Sequence, residues 1–182
     1  MTNVPSRVEL CPLTIADQDE FCALVRASTE LHAPWMQLPA TPEEFQGWMS
    51  RFADGTNLGF LIRVQKTATA AGMVNINSII RGRYQGASLG YAAFAPSAGR
   101  GYMTEGLTLA LRYAFDDLRL HRLEANVQPA NKASLALVQR LGFRYEGLSP
   151  AYLYIDGAWR DHERWAITAP PSWTPDPSLP EI

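Results

Sequence analysis

A chain of 182 residues, 47% hydrophobic and 19% charged, has the composition of a folded globular protein with a core of its own. Its net charge of −2 argues against a general nucleic-acid binder, and no segment has the uninterrupted apolar length that spans a bilayer. Cys11 and Cys22 lack metal-ligand spacing, and residues 1–12 lack a cationic start followed by an apolar core. Packed thiols in a cytoplasmic protein without an export signal are therefore expected.

Residues 8–10 predict a first short strand. From 17 to 30, Phe21, Leu24, Val25 and Leu31 recur at helical spacing, with Thr14 or Asp17 as the cap. Thr41-Pro42-Glu43-Glu44 combines a capping residue, a proline at the first helical position and first-turn acids, predicting a second helix to about Ala53. The turn Asp54-Gly55-Thr56-Asn57 leads into three strands, 58–65, 72–80 and 86–94, the last preceded by the bend Arg81-Gly82-Arg83.

The run Ser97-Ala98-Gly99-Arg100-Gly101-Tyr102-Met103-Thr104-Glu105 follows the third of these strands and opens an amphipathic helix. Two glycines two residues apart let the backbone approach a ligand, and a helix start offers unpaired amides, so the loop suits a phosphate or pyrophosphate. Met103, Leu107, Ala110, Leu111, Ala114, Phe115 and Leu118 form the apolar face of that helix. Leu123, Ala125 and Val127 alternate as a strand. A helix from Asn131 to Leu141 starts on an asparagine cap and ends before Gly142. Residues 143–148 and 159–167 read as closing strands with Asp156-Gly157 as a hairpin turn. From Ala169 onward, five prolines in fourteen residues predict a tail without regular structure, leaving a single domain over 1–168 and a tail over 169–182. The pattern is α/β or α+β, with a mixed sheet and helices on its faces.

The glycine loop, followed by a strand, an Asn-capped helix and Leu141-Gly142-Phe143, resembles the GCN5-related N-acetyltransferase (GNAT) family. That family's loop usually reads Gln/Arg-x-x-Gly-x-Gly/Ala, and its later helix Asn-x-x-Ser/Ala; Asn131 and Ser134 match the second. The fragments 140–147 and 152–162, with 82–90 and Trp173-Thr174-Pro175, are similar to the RimJ/RimL-type branch of ribosomal-protein alanine N-acetyltransferases. Ala98 and Met103 depart from the loop pattern.

The resemblance implies splayed central strands and acetyl-CoA as co-substrate. Gly99, Arg100, Gly101, Tyr102, Met103 and Thr104 would then hold the pyrophosphate, the strand at Ala92 to Phe94 would pair with the pantetheine arm, and Asn131 would bond the arm near the thioester. It also implies Ser134 as the acid that protonates the leaving thiolate, the role proposed for the serine of the Asn-x-x-Ser motif in the RimL-type branch; the tyrosine many members carry four residues later is Val138 here. The acid residue usual before the tyrosine matched by Tyr152 is Ala151, so Glu124, acting through water, is the base expected in its place. Trp35 and Tyr152 are the expected acceptor contacts.

Glu105 reads as a helix-dipole or loop-bonding group. Asp161-His162 reads as structural, since adjacent strand residues face opposite ways, and His32 and His121 lack metal spacing. A Rossmann site fails because Thr104 stands at the third glycine position, and no Gly-x-Ser-x-Gly elbow is present. The expected activity is acetylation of a protein N-terminal α-amine, alanine or serine of a ribosomal protein. The enzyme would be a monomer or homodimer without metal, membrane or direct nucleic-acid contact. Two alternatives stay open: a small-molecule amine as acceptor, or a non-catalytic acyl-CoA-binding sensor.

Overall fold

The computed structural model describes residues 6–174. Seven strands form one mixed sheet: β1 (Val8–Pro12), β2 (Leu58–Val64), β3 (Ala70–Ile80), β4 (Gly86–Ala93), β5 (Arg122–Val127), β6 (Arg144–Ile155) and β7 (Ala158–Thr168), in the order β1-β2-β3-β4-β5-β7-β6. Every neighbouring pair is antiparallel except β4 and β5. A parallel pair needs a crossover, and α4 (Tyr102–Arg112) supplies it. That one parallel seam is short: Gly86 pairs with Arg122, Ala87 with Leu123 and Ser88 with Glu124. Beyond Ser88 the two strands part.

Residues paired across a sheet share a face, and successive residues alternate. On one face, α4 and α5 (Lys132–Arg140) cover Val74, Ile76, Leu89, Leu123, Ala125 and Trp165, with Leu107, Ala110, Leu135 and Val138 as the helical contribution. On the other, α1 (Gln18–Ala27), α2 (Thr29–His32) and α3 (Pro42–Met49) pack Phe21 and Phe45 against Leu61, Met73, Ala92 and Phe94. Phe21 stands 5.1 Å from Phe45 and meets Phe94 edge-on at 5.7 Å, centroid to centroid. The expected mixed sheet with helices on both faces is the fold observed.

Four boundaries differ from the sequence reading, each for a local reason. The helix expected over 17–30 breaks at Ser28, whose hydroxyl donates to Leu24 O at 2.6 Å and accepts from the distant Ala95 amide at 2.9 Å. The helix expected to reach Ala53 stops at Met49 and tightens into a 3-10 turn over Ser50–Phe52. The long amphipathic helix ends its α-portion at Arg112 and continues as a π-turn over Tyr113–Asp117. Strand β6 runs to Ile155, past its expected end, carried through two bulges at Gly147 (φ +134°) and Ala151 (φ +47°). Residues 169–174 carry no helix or strand, yet Trp173 packs 5.2 Å from the His121 ring and Arg119 donates to Thr174 O at 2.6 Å. The expected proline-rich tail over 175–182 lies outside the described residues.

Met103, large where the family pattern is small, is accommodated by a missing side chain across from it. A Cβ on Gly72 of β3 would overlap the Met103 sulfur and stand 2.6 Å from Ala92 O. Gly72→Ala is therefore expected to lower stability by about 1–3 kcal/mol through overpacking. Urea unfolding checks it, and adding Met103→Ala should restore part of the loss; full additivity of the two changes would refute the contact.

Candidate active site

Gly99 and Gly101 both adopt left-handed backbone (φ +76° and +81°), and Gly101 is the N-cap of α4. L-residues with a Cβ avoid this region, so the two glycines are what let the chain turn sharply into the helix. As a result the amides of Gly99, Arg100, Gly101, Tyr102 and Met103 have no acceptor among the described residues, whereas Thr104 already donates to Gly101 O at 3.1 Å. Five consecutive unclaimed donors at the positive end of a helix form a ready anion cradle.

The back of this loop is braced. Glu105 accepts from the Arg7 amide and from Arg7 Nε, both at 2.7 Å, while a second Arg7 nitrogen donates to Arg100 O at 2.9 Å. The Arg7 guanidinium also lies 4.9 Å from the centroid of the Tyr102 ring. Burial alone would raise the Glu105 carboxyl, but the hydrogen bonds from Arg7 outweigh it and hold the group below its usual range. Glu105 thus reaches the glycine loop only through Arg7, which bonds both Glu105 and Arg100 O. On the ligand side, the Arg140 guanidinium at the end of α5 stands 3.5 Å from Thr104 Oγ1.

A cavity of about 590 Å³ runs from this loop into the gap where β4 and β5 part. Gly99, Gly101, Tyr102, Met103 and Thr104 line its mouth, Ala92 and Tyr91 its β4 wall, Asn126 and Gln128 its β5 wall, and Asn131 and Ser134 the start of α5. Asn131 caps α5 as expected, its Oδ1 accepting the Ser134 amide at 3.1 Å. The Ser134 hydroxyl meets the Tyr91 hydroxyl at 2.6 Å. Burial pushes the Tyr91 phenol up to about 12, so it stays protonated at neutral pH. Either hydroxyl can donate in this pair; in the orientation in which Tyr91 donates, the Ser134 hydrogen is left free for the cavity.

At the far end, Leu31, His32, Trp35 and Met36 from α2 and the segment after it form the wall. Trp35 lines the cavity, and its carbonyl accepts from Gln128 Nε2 at 3.3 Å, tying this wall to the end of β5. Tyr152 stands just behind the lining, edge-on to the His162 ring at 5.9 Å. His162 itself reaches the cavity.

Three expected site residues are placed elsewhere. Glu124 does not line the cavity; it accepts from Arg122 Nε at 2.9 Å and Tyr84 OH at 2.8 Å, while Arg122 also binds Glu146. A carboxylate neutralised in this way outside the cavity is not placed to collect a proton from an acceptor. Phe94 is fully buried between Phe21 and His32, and its amide is spent on Ala71 O at 2.9 Å, so the open stretch of β4 ends before it. Arg100 is exposed and contributes its backbone rather than a cavity-facing cation. The sequence reading missed Tyr91, Asn126, Arg140 and Arg7. Alternation along β4 and β5 signals that Tyr91 and Asn126 flank the seam; nothing local announces the two arginines. Among the described residues no cluster of three His, Cys, Asp or Glu side chains could hold a metal ion, and no helix is long and apolar enough to cross a membrane.

This layout defines a class: folds in which a strand–loop–helix unit holds a phosphate-bearing ligand over a sheet opened at its centre. Residues 7–144 match the family model described as acetyltransferase (GNAT) domain, and the chain belongs to that family. It is 44% identical over 104 residues to the [ribosomal protein uS5]-alanine N-acetyltransferase of Escherichia coli, covering 57% of this chain and 53% of that protein. It is similar to the solved structure of Mycobacterium smegmatis RimJ in complex with CoA-disulfide, at 31% identity and a TM-score of 0.81, covering 89% of this chain and 82% of that one. A Vibrio fischeri ribosomal-protein-S5-alanine acetyltransferase shares the fold at 23% identity and a TM-score of 0.82, with 94% and 98% covered. The chain spans about half the length of the curated relatives it matches.

Proposed function

We propose that this chain transfers an acetyl group from acetyl-CoA to the α-amine of a protein N-terminus, an alanine or serine of a ribosomal protein, in the cytoplasm. The observation that carries the reading is the row of five unclaimed amides at the mouth of the open β4–β5 seam. The row suits the pyrophosphate, and the stretch of β4 from Leu89 to Ala92, left unpaired on its β5 side, suits the amides of a pantetheine arm, which would lie there as a partial strand. An arm laid along the seam brings its thioester toward Asn131 and Ser134, where Ser134, fixed by Tyr91, serves as proton donor to the departing sulfur. Asn126 Oδ1 is buried beside the cavity without a partner among the described residues and suits an N–H donor of either substrate. The names of the E. coli and M. smegmatis relatives support the ribosomal acceptor and the CoA ligand.

Incubating the purified protein with acetyl-CoA, a panel of N-terminal peptides and a panel of small amines, and reading products by intact mass, tests this. Acetylated alanine- or serine-terminated peptides are the expected result. Acetylation of small amines alone would replace the acceptor, and acetyl-CoA binding without any product would make the chain a sensor.

A further inference from the structure

His162 lines the cavity while only 2% exposed, and the chemistry above leaves it unused. Its Nδ1 lies 3.0 Å from Arg160 O. A carbonyl only accepts, so Nδ1 carries the proton and the neutral ring keeps its lone pair on Nε2. Nε2, the ring nitrogen farther from the backbone, has no partner among the described residues. Tyr152 meets the ring edge-on at 5.9 Å, centroid to centroid. The other cavity histidine is arranged the opposite way: His32 places its distal Nε2 2.8 Å from Ala93 O, so that nitrogen is spent as a donor bracing α2 to β4.

The two faces of the sheet give this arrangement its sense. Paired positions put Ser88, Glu124, Asn126, Arg164 and His162 on the α1–α3 face. Tyr91 and Ser134 belong to the α4–α5 face. The open seam joins the two. A ligand threaded through it from the glycine loop meets Ser134 on one side and His162 on the other.

The groups around His162 leave its free nitrogen unopposed. Asp161 faces the other way and accepts from the Ala151 amide at 2.8 Å, and Glu163 accepts from Trp165 Nε1 at 3.0 Å. Arg164 is turned toward Gly147 of β6, and Arg160 Nε toward Ile155 O. The remaining neighbours, Ser149 and Tyr152 of β6, Asn126 of β5 and His32 of α2, bring no carboxylate.

We propose that His162 Nε2 is the general base for the acceptor amine, an assignment that rests on the acetyl-transfer reading. The ammonium N–H bond breaks and its proton passes to Nε2. The freed lone pair forms the C–N bond to the thioester carbonyl carbon. The C–S bond then breaks with its electron pair on sulfur, which takes the Ser134 hydroxyl proton. The new amide nitrogen sheds its second proton, which water relays back to Ser134, and the imidazolium releases its own to solvent. One acetyl group moves from sulfur to nitrogen and one proton is released.

Two measurements test this on the full chain. Nitrogen-15 NMR of histidine-labelled protein at alkaline pH should show His162 as the Nδ1–H tautomer, and an Nε2–H tautomer would overturn the proposal. His162→Gln should lower kcat about 100-fold, leave acetyl-CoA affinity unchanged, and abolish the acid limb of the kcat/KM profile, whereas His32→Gln keeps that limb. A His162→Gln enzyme within about threefold of wild type with the limb intact would also overturn it. If the variant does not fold, the tautomer decides. If wild-type protein binds acetyl-CoA but acetylates nothing, the acetyl-transfer reading fails and this role fails with it.

Discussion

Ser134→Ala is expected to lower kcat by about 100-fold or more while leaving the dissociation constant for acetyl-CoA within about twofold, the signature of a proton donor rather than a binding group. The argument lies in the orientation of one hydrogen. Tyr91 comes from β4 and Ser134 from the first turn of α5, and their hydroxyls meet at 2.6 Å. Burial keeps the phenol protonated, so it can donate to Ser134 Oγ, and in that orientation the serine hydrogen is directed into the cavity. Tyr91→Phe should therefore lower kcat by a smaller factor, about tenfold, since the serine survives but its hydrogen is no longer aimed. The double variant should be no worse than Ser134→Ala alone. Steady-state kinetics with calorimetric acetyl-CoA titration checks all three, and a Ser134→Ala enzyme with unchanged kcat would refute the assignment. The arrangement also answers the departure at Val138, which is 1% exposed and packed in the core: a phenol from the strand stands near the seam where the helix supplies none.

The second large effect belongs to the loop. Gly99→Val combined with Gly101→Val forces two branched residues toward φ near +76° and +81°. Each left-handed L-residue costs about 1–2 kcal/mol, so the loop is expected to relax and turn its amides away. The corresponding loss of acetyl-CoA affinity is about 30-fold or more, read by calorimetry. The melting temperature should fall by less than the full strain implies, because turning the loop relieves part of it. Affinity within about threefold of wild type would show that the amides do not carry the binding. Arg7 and Glu105 should make single substitutions milder, since the brace behind the loop holds its backbone from the other side.

What the sequence revealed and what it hid follow one division. Features written into neighbouring residues were legible: the glycine pair, the Asn131 cap, the Thr41-Pro42 helix start and the alternation in β2, β4 and β5. Features that depend on distant partners were not. Ser28 ends a helix because it binds the Ala95 amide, 67 residues away. Strand β6 lacks alternation because it is an exposed edge that bulges twice, so its sequence records neither a buried face nor a constant register. Glu124 was the natural candidate base on β5, yet the seam opens only after Ser88, and the cavity wall starts two residues farther along, at Asn126. The opposite facing of Asp161 and His162 was read correctly. What it could not show is that the sheet opens on the side of His162, which lines the cavity.

The parting of β4 and β5 has a consequence for how this protein avoids sticking to itself. A strand edge with free amides and carbonyls is a template for pairing with other chains, and proteins usually have to blunt such edges at their periphery. Here the free stretch of β4 is an inner edge, roofed by α4 and α5 on one side and by α1 to α3 on the other. A slender extended ligand can enter through the cavity, while the helices on both faces shield this edge from strand pairing with a second folded chain.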